Sequence, residues 1–293
     1  MPASLVGCVL RVFLGFGVPA ATGDPSAPIV VDCVARPVLG DGPVCVEGVV
    51  LFEPGRVRSS EGYVLRADRG RGVAVPTELE ATGAYPDGSL RAARVLACVP
   101  ATIARAGAVF HLVRGRSPAP SAPVRATSTA RGAVLDTADG SLEFCAEDVD
   151  LIRRITVRGV DRRAAERPVR IVTSTSLGDA SSERAPSRSV VVERPGPLRA
   201  RVKVSGFALD AADEAVLAWT LRVEARAGRG PLRFELDVVG TADVGIADDL
   251  TFELPLKSLG VVRARVFGAD LAGPVERGVA RVASDDGRHV DAT

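Results

Sequence analysis

Apolar and polar residues alternate with a period of two along most of this chain, and no long stretch carries the apolar repeat of about 3.6 residues that marks an amphipathic helix. The C-terminal third is clearest. In "GPLRARVKVSGFAL", Leu198, Ala200, Val202 and Val204 fall on one row, while Arg199, Arg201 and Lys203 fall on the other. That spacing predicts an antiparallel strand with one buried and one wet face. "AVLAWTLRVEARAG" and "GPLRFELDVVG" repeat it, with the lone Trp219 on the apolar row and a short glycine turn between them that predicts a hairpin. "DDLTFELPLKSLG" and "VVRARVFGAD" extend the series. Upstream, "PVCVEGVVLF", "EGYVLRA", "GVAVPTELEA", "SLRAARVLACV", "GAVFHLVRG", "RGAVLDT", "SLEFCAEDV", "LIRRITVRG" and "RPVRIVTS" are short, β-branched and punctuated by Gly, Pro, Asp or Ser. About sixteen such strands predict an all-β sandwich or barrel rather than a wound α/β sheet.

Breaks in the pattern divide the chain. Residues 1–35 are poorly patterned, and the proline- and serine-rich "RGRSPAPSAPVRA" (114–126) reads as a linker. The expected division is a barrel domain over 36–118, a β-sandwich over 119–283 and a polar tail over 284–293. "TSTSLGDASSERAPSRS" (173–189) lacks apolar periodicity and reads as a long exposed loop.

Composition narrows the function classes. A net charge of +1 gives no global field for nucleic acid or anionic membrane. The cations are almost all arginine, Lys203 and Lys257 being the only lysines, which reads as a genome bias toward Arg, Ala, Val, Gly and Pro. Cys8, Cys33, Cys45, Cys98 and Cys145 form no zinc or iron–sulfur spacing. Cys45 and Cys98 read as small apolar strand residues. If a leader carrying Cys8 were cleaved, the even four that remain would be compatible with disulfides without requiring them. The segment "SLVGCVLRVFLGFGVPAATG" is interrupted by Arg11 and too broken for a transmembrane helix, but an export signal is the expectation.

Candidate chemistry is sparse. His111 alternates with apolar neighbours and reads as a satisfied strand residue, and His289 lies in the tail. No nucleophile elbow precedes either. The acidic runs at 147–150, 210–214, 248–249 and 285–286 match no EF-hand, so no cofactor is expected, with calcium left open. Arginines recur on strand faces, and Arg199, Arg201, Arg222 and Arg226 are the candidate binding residues, in a geometry able to grip carboxylates of an acidic sugar.

One segment is more specific. In "GVAVPTELEATGAYPDGSLRAARVLACVPA", Pro76 and Glu78 precede a turn formed by Tyr85, Pro86, Asp87, Gly88 and Ser89. This resembles the N-terminal RIFT-barrel domain of the rhamnogalacturonan exolyase-like family, with Tyr85 where that family has Trp. "PVCVEGVVLFEPGRV" is similar to the opening of that domain, and "GSLEFCAED" to a later strand. "VVVERPGPLRARVKVSG", with Glu193, Gly196, Pro197, Leu198, Arg199 and Ala200 at matching positions, resembles the entry to its central β-sandwich. "RVEARAGRGPLRFELDVVGTAD" and "DDLTFELPLKSLG" resemble the following strands, although Gly240 stands where the family often has histidine.

The resemblance spans most of residues 40–262 and implies a small RIFT-type barrel followed by a supersandwich-like β-sandwich, in a carbohydrate context. Full-length family members add an α/α-toroid that takes part in lyase chemistry, and these 293 residues hold no counterpart to it, so no catalytic residue is carried over. The expectation is a non-catalytic or divergent protein that recognises or organises polysaccharide. An active lyase on uronate-containing glycan and a structural surface or virion protein are the alternatives.

Overall fold

The computed structural model describes residues 29–31, 43–67, 72–105, 109–162, 168–175, 178–185, 188–228, 232–240, 246–256, 260–270, 281–284 and 289–291. The N-terminal segment carrying the candidate leader, Cys8 and Cys33 lies outside them. Among the described residues, twenty-two strands, one short α-helix and one 3₁₀ turn give an all-β fold, as the period-two pattern predicts. It divides into two compact units, residues 1–124 with 226–231, and residues 125–225 with 232–293. No described helix is long and apolar enough to cross a membrane.

The first unit is a small barrel-like body. β1 (Ile29–Val31), β7 (Phe110–Arg114), β3 (Tyr63–Ala67) and β4 (Ala74–Val75) form one sheet in that order, and β2 (Val44–Leu51), β6 (Leu90–Val99) and β5 (Thr77–Ala84) form the other. The chain changes sheets at Pro76, which has no amide to donate and so suits a corner. Thr77 ties that corner together, its hydroxyl accepting from Leu65 N at 3.0 Å and donating to Val75 O at 2.7 Å. Val46, Val50, Val95, Ala97 and Val99 from one sheet and Leu65, Val75, Phe110 and Leu112 from the other fill a single core. α1 (Ala101–Arg105) closes one end of it with Ala104.

The second unit holds a five-stranded sheet, β12 (Val160–Asp161), β11 (Arg154–Val157), β10 (Gly140–Cys145), β9 (Gly132–Asp136) and β8 (Arg125–Thr129). A ten-stranded antiparallel sheet lies beside it. Its order is β18 (Arg233–Gly240), β17 (Ala215–Arg226), β16 (Arg199–Leu209), β14 (Gly178–Ser181), β13 (Arg170–Thr175), β19 (Ile246–Leu256), β20 (Gly260–Asp270), β21 (Arg281–Ser284) and β22 (His289–Asp291), with β15 (Ser189–Pro195) also paired to β16. Ala200, Val202 and Val204 of β16 and Leu217, Trp219, Leu221 and Val223 of β17 are buried, on the row that the alternation assigns to the core.

One stretch departs from expectation. The described residues of 173–189 do not form a long exposed loop: β13 pairs with β14 there, a 3₁₀ turn follows at Ser182–Arg184, and Thr173, Ala180, Ser182 and Arg188 are buried. Two of these buried residues, Thr173 and Ser182, are small and polar, and Ile171 N donates to Ser182 Oγ at 3.0 Å. Burial without hydrophobicity leaves no period-two signal to read.

Candidate functional site

The turn at Tyr85–Ser89 is the β5–β6 hairpin loop. Gly88 N donates to Tyr85 O at 3.0 Å, Tyr85 N donates to Ser89 O at 2.7 Å, and Gly88 sits at φ +79°, a conformation that glycine adopts without a Cβ penalty. Asp87 accepts from both the amide (2.9 Å) and the hydroxyl (2.6 Å) of Ser89, which hold its carboxyl below the usual range. The buried Ser89 hydroxyl also accepts from Gly55 N at 2.8 Å, and Tyr85 donates to Phe52 O at 2.8 Å. The Tyr85 and Ser89 hydroxyls and the Asp87 carboxylate are thus engaged with the barrel's own backbone or with the turn itself, which is a structural role. Pro76 lies at the sheet corner, and Glu78 is half-buried on β5. Gly196 and Pro197 join β15 to β16 through a cis peptide bond.

The four candidate arginines do not converge. Arg226 belongs to the first unit, where it donates to Glu47, a carboxylate also approached by Arg94 at 3.4 Å. Arg199 is buried at the start of β16. Arg201 and Arg222 do come together, on the face of β15–β18 opposite the buried row. A β-bulge between Val192 and Arg194 leaves Glu193 as the extra residue of β15, and its carboxylate lies 3.9 Å from Arg201 and 3.4 Å from Arg222. Arg201 also donates to the buried Glu224 through Nε at 3.0 Å, and Arg222 reaches diagonally across β17–β18 to Asp237. Two guanidinium groups are therefore laced to three carboxylates.

The other end of this face is apolar. Phe207, on the Arg201 row of β16, is 48% exposed, and Val239, two residues beyond Asp237 on β18, is 63% exposed. Along β16 the row runs Arg201, Lys203, Ser205, Phe207, about 20 Å at the rise of a β-strand. Thr220 lies opposite Asp237 in the middle. The result is one strip that passes from interleaved charges through hydroxyls to an exposed phenyl ring. Periodicity identifies the cations of the strip. It does not find Phe207 or the carboxylates, because their significance lies in cross-strand neighbours far away in sequence.

On the core side, the Arg188 guanidinium stands 6.0 Å from the Trp219 ring centroid. Its Nη2 donates to Val149 O (2.8 Å) and Ser182 O (3.1 Å). Burial pulls this guanidinium down from its ordinary pKa, with Asp148 and Asp150 acting in the other direction. His111 lies buried on β7, as a strand residue should, but its Nδ1 has no hydrogen-bond partner among the described residues. Nor do the described residues bring three or more His, Cys, Asp or Glu side chains together as a metal site.

No protein-family model and no curated protein matches the sequence. Among solved structures, an alpha-mannosidase from Enterococcus faecalis V583 is similar at a TM-score of 0.34 and 11% identity, over 77% of this chain and 29% of that one. A likeness of that degree decides nothing about function, and the chain corresponds to less than a third of that protein's length.

Proposed function

We propose that this is a non-catalytic carbohydrate-associated β-protein that recognises polysaccharide on the exposed face of β15–β18. The observation that carries the reading is the graded strip itself. A sugar ring offers an apolar C–H face and a rim of hydroxyls that both donate and accept. Phe207 and Val239 offer an apolar platform, and the Arg–carboxylate ladder, Lys203, Ser205 and Thr220 offer fixed donors and acceptors. The resemblance to the first two domains of the rhamnogalacturonan exolyase-like family supports the same context.

The charge balance selects among glycans. β-Elimination on a uronate needs a cation free to neutralise the carboxylate and a positioned base. Arg201 and Arg222 are already matched by Glu193, Glu224 and Asp237, so an incoming uronate would have to displace one of the protein's own carboxylates. A neutral, hydroxyl-rich chain meets no such competition. The test is affinity electrophoresis in gels cast with neutral or with uronate-containing polysaccharide. Retardation by neutral polysaccharide, reduced several-fold by Phe207→Ala and by Arg222→Ala in proteins with unchanged Trp219 emission, is the expected result. Unretarded migration in every gel would overturn the reading, and growth of the ultraviolet absorbance of an unsaturated uronate would establish a lyase instead.

A further inference from the structure

Among its described residues the first unit holds two cysteines, Cys45 and Cys98, that the proposed recognition face does not use. Cys45 on β2 and Cys98 on β6 are register partners in an antiparallel pair. The type of pair follows from two backbone bonds. Cys98 N donates to Pro76 O at 2.9 Å, so the polar backbone edge of Cys98 turns toward β5 and away from β2. Phe52 N donates to Arg91 O at 3.0 Å, and counting alternately along β6 from Arg91 again makes Cys98 a position that is not hydrogen-bonded to β2. Opposed residues at such positions are the closer kind, with Cα atoms about 4.5 Å apart, inside the span of about 4.4–6.8 Å that a disulfide bridges.

Neither thiol belongs to the barrel core. Val44, Val46, Ala97 and Val99 point inward, so Cys45 and Cys98 share the outer face of the sheet with Glu47 and Arg94. Residues 226–228 of the same unit cover them. Ala227 O lies 4.0 Å from Cys98 Sγ, and Gly228 packs so near Pro43 O that a Cβ there would approach it to 2.8 Å. Cys98 is 2% exposed, whereas Cys45 is half-buried. Each thiol perturbs the other: their hydrogen bonding, with burial, pushes Cys45 up, and the same bond brings Cys98 down from the ordinary thiol range.

We infer that Cys45 and Cys98 form a reversible, peroxide-sensitive cross-strand disulfide that staples β2 to β6. Cys45 and Cys98 are both free thiols in the structure. A peroxide is small enough to reach a sulfur that larger disulfide oxidants cannot. The Cys98 thiolate attacks one peroxide oxygen, the O–O bond breaks, and hydroxide leaves, so that Cys98 becomes a sulfenic acid. The sulfur of Cys45 then attacks Cys98 Sγ, the S–O bond breaks, and the released hydroxide takes up the Cys45 proton as water. Counting the proton that Cys98 lost on ionising, one peroxide and two thiols become one disulfide and two waters. A thiol reductant reverses the change by exchange.

The full chain is treated with hydrogen peroxide, quenched, denatured, alkylated and mapped by peptide mass, with dimedone present in parallel samples to trap sulfenic acid. The expected result is a peptide pair joined through Cys45 and Cys98, loss of both from the alkylated pool, recovery with dithiothreitol, and little dimedone adduct on Cys98. Cys45→Ala removes the resolving thiol, so the dimedone adduct on Cys98 should rise several-fold. Cys98→Ala should abolish both the adduct and the crosslink. The wild-type map needs no variant to fold. Full alkylation of Cys45 and Cys98 after peroxide, or a crosslink from either to another cysteine, would overturn the inference.

Discussion

Gly206 interrupts the apolar row of β16, and its substitution by alanine tests the packing of the second unit. A Cβ built there would stand 2.8 Å from Cζ2 of Trp219 and 3.3 Å from Cε2. Carbon atoms pack best at about 3.5–4.0 Å, so the methyl overlaps the ring by most of an ångström. The ring cannot swing away freely: it is 2% exposed, and the Arg188 guanidinium lies over it. Overpacking of this kind costs about 1–3 kcal/mol. Against it stands the gain of about 0.4–1 kcal/mol from stiffening the unfolded chain, since no left-handed backbone forbids alanine here. Gly206→Ala should therefore destabilise the unit by about 1–2 kcal/mol, lowering its midpoint by roughly 2–8 °C at about 2–4 °C per kcal/mol for a unit of this size. Trp219 is the chain's only tryptophan, so its emission during thermal or urea unfolding reports on this unit alone. In a Trp219→Phe background, followed by far-ultraviolet circular dichroism, the same substitution should cost less, because the shorter ring leaves room for the methyl. A Gly206→Ala protein as stable as the wild type, or an equal cost in both backgrounds, would refute the contact.

Three further outcomes follow from the same physical reasoning. Ser89→Ala strips Gly55 N of its acceptor and should destabilise the first unit by about 1–3 kcal/mol, read from the near-ultraviolet dichroism of Tyr63 and Tyr85; an unchanged urea midpoint would contradict it. Because Ser89 depresses the Asp87 pKa in the folded state, the stabilisation from that carboxylate is present above the ordinary value of 3.8 and is lost as pH falls through the lower folded value. Asp87→Asn should accordingly flatten the dependence of the first unit's stability on pH below about 4, and an acid limb identical to wild type would dismiss the link. Glu224→Ala leaves Arg201 with Glu193 alone; because Arg201 is a fifth exposed, the cost should be about 2–3 kcal/mol, less than a fully buried pair, while Arg201→Met with Glu224→Leu should recover most of it.

The sequence makes the strands legible because period-two alternation is a local property of the chain. Even the corner at Pro76 and the turn at Gly88 can be read, since each depends on what one residue's backbone can or cannot do. The hairpin over residues 173–181 cannot, because Thr173 and Ser182 are buried by satisfying hydrogen bonds rather than by being apolar. The same contrast governs the candidate site. Arg201 and Arg222 stand out as cations on a strand, but whether they are available depends on Glu193, Glu224 and Asp237, which three different strands deliver. Glu193 approaches both arginines from the bulge of β15 between Val192 and Arg194. The Cys45–Cys98 pair follows the same logic, its two residues reading as ordinary strand positions until the β2–β6 register sets them opposite each other. Chemistry in this fold therefore resides in cross-strand pairs. A substitution that shifts one strand's register by a residue should disable the recognition face or the cysteine pair and, because it turns every side chain of that strand to the opposite face, the buried row with it.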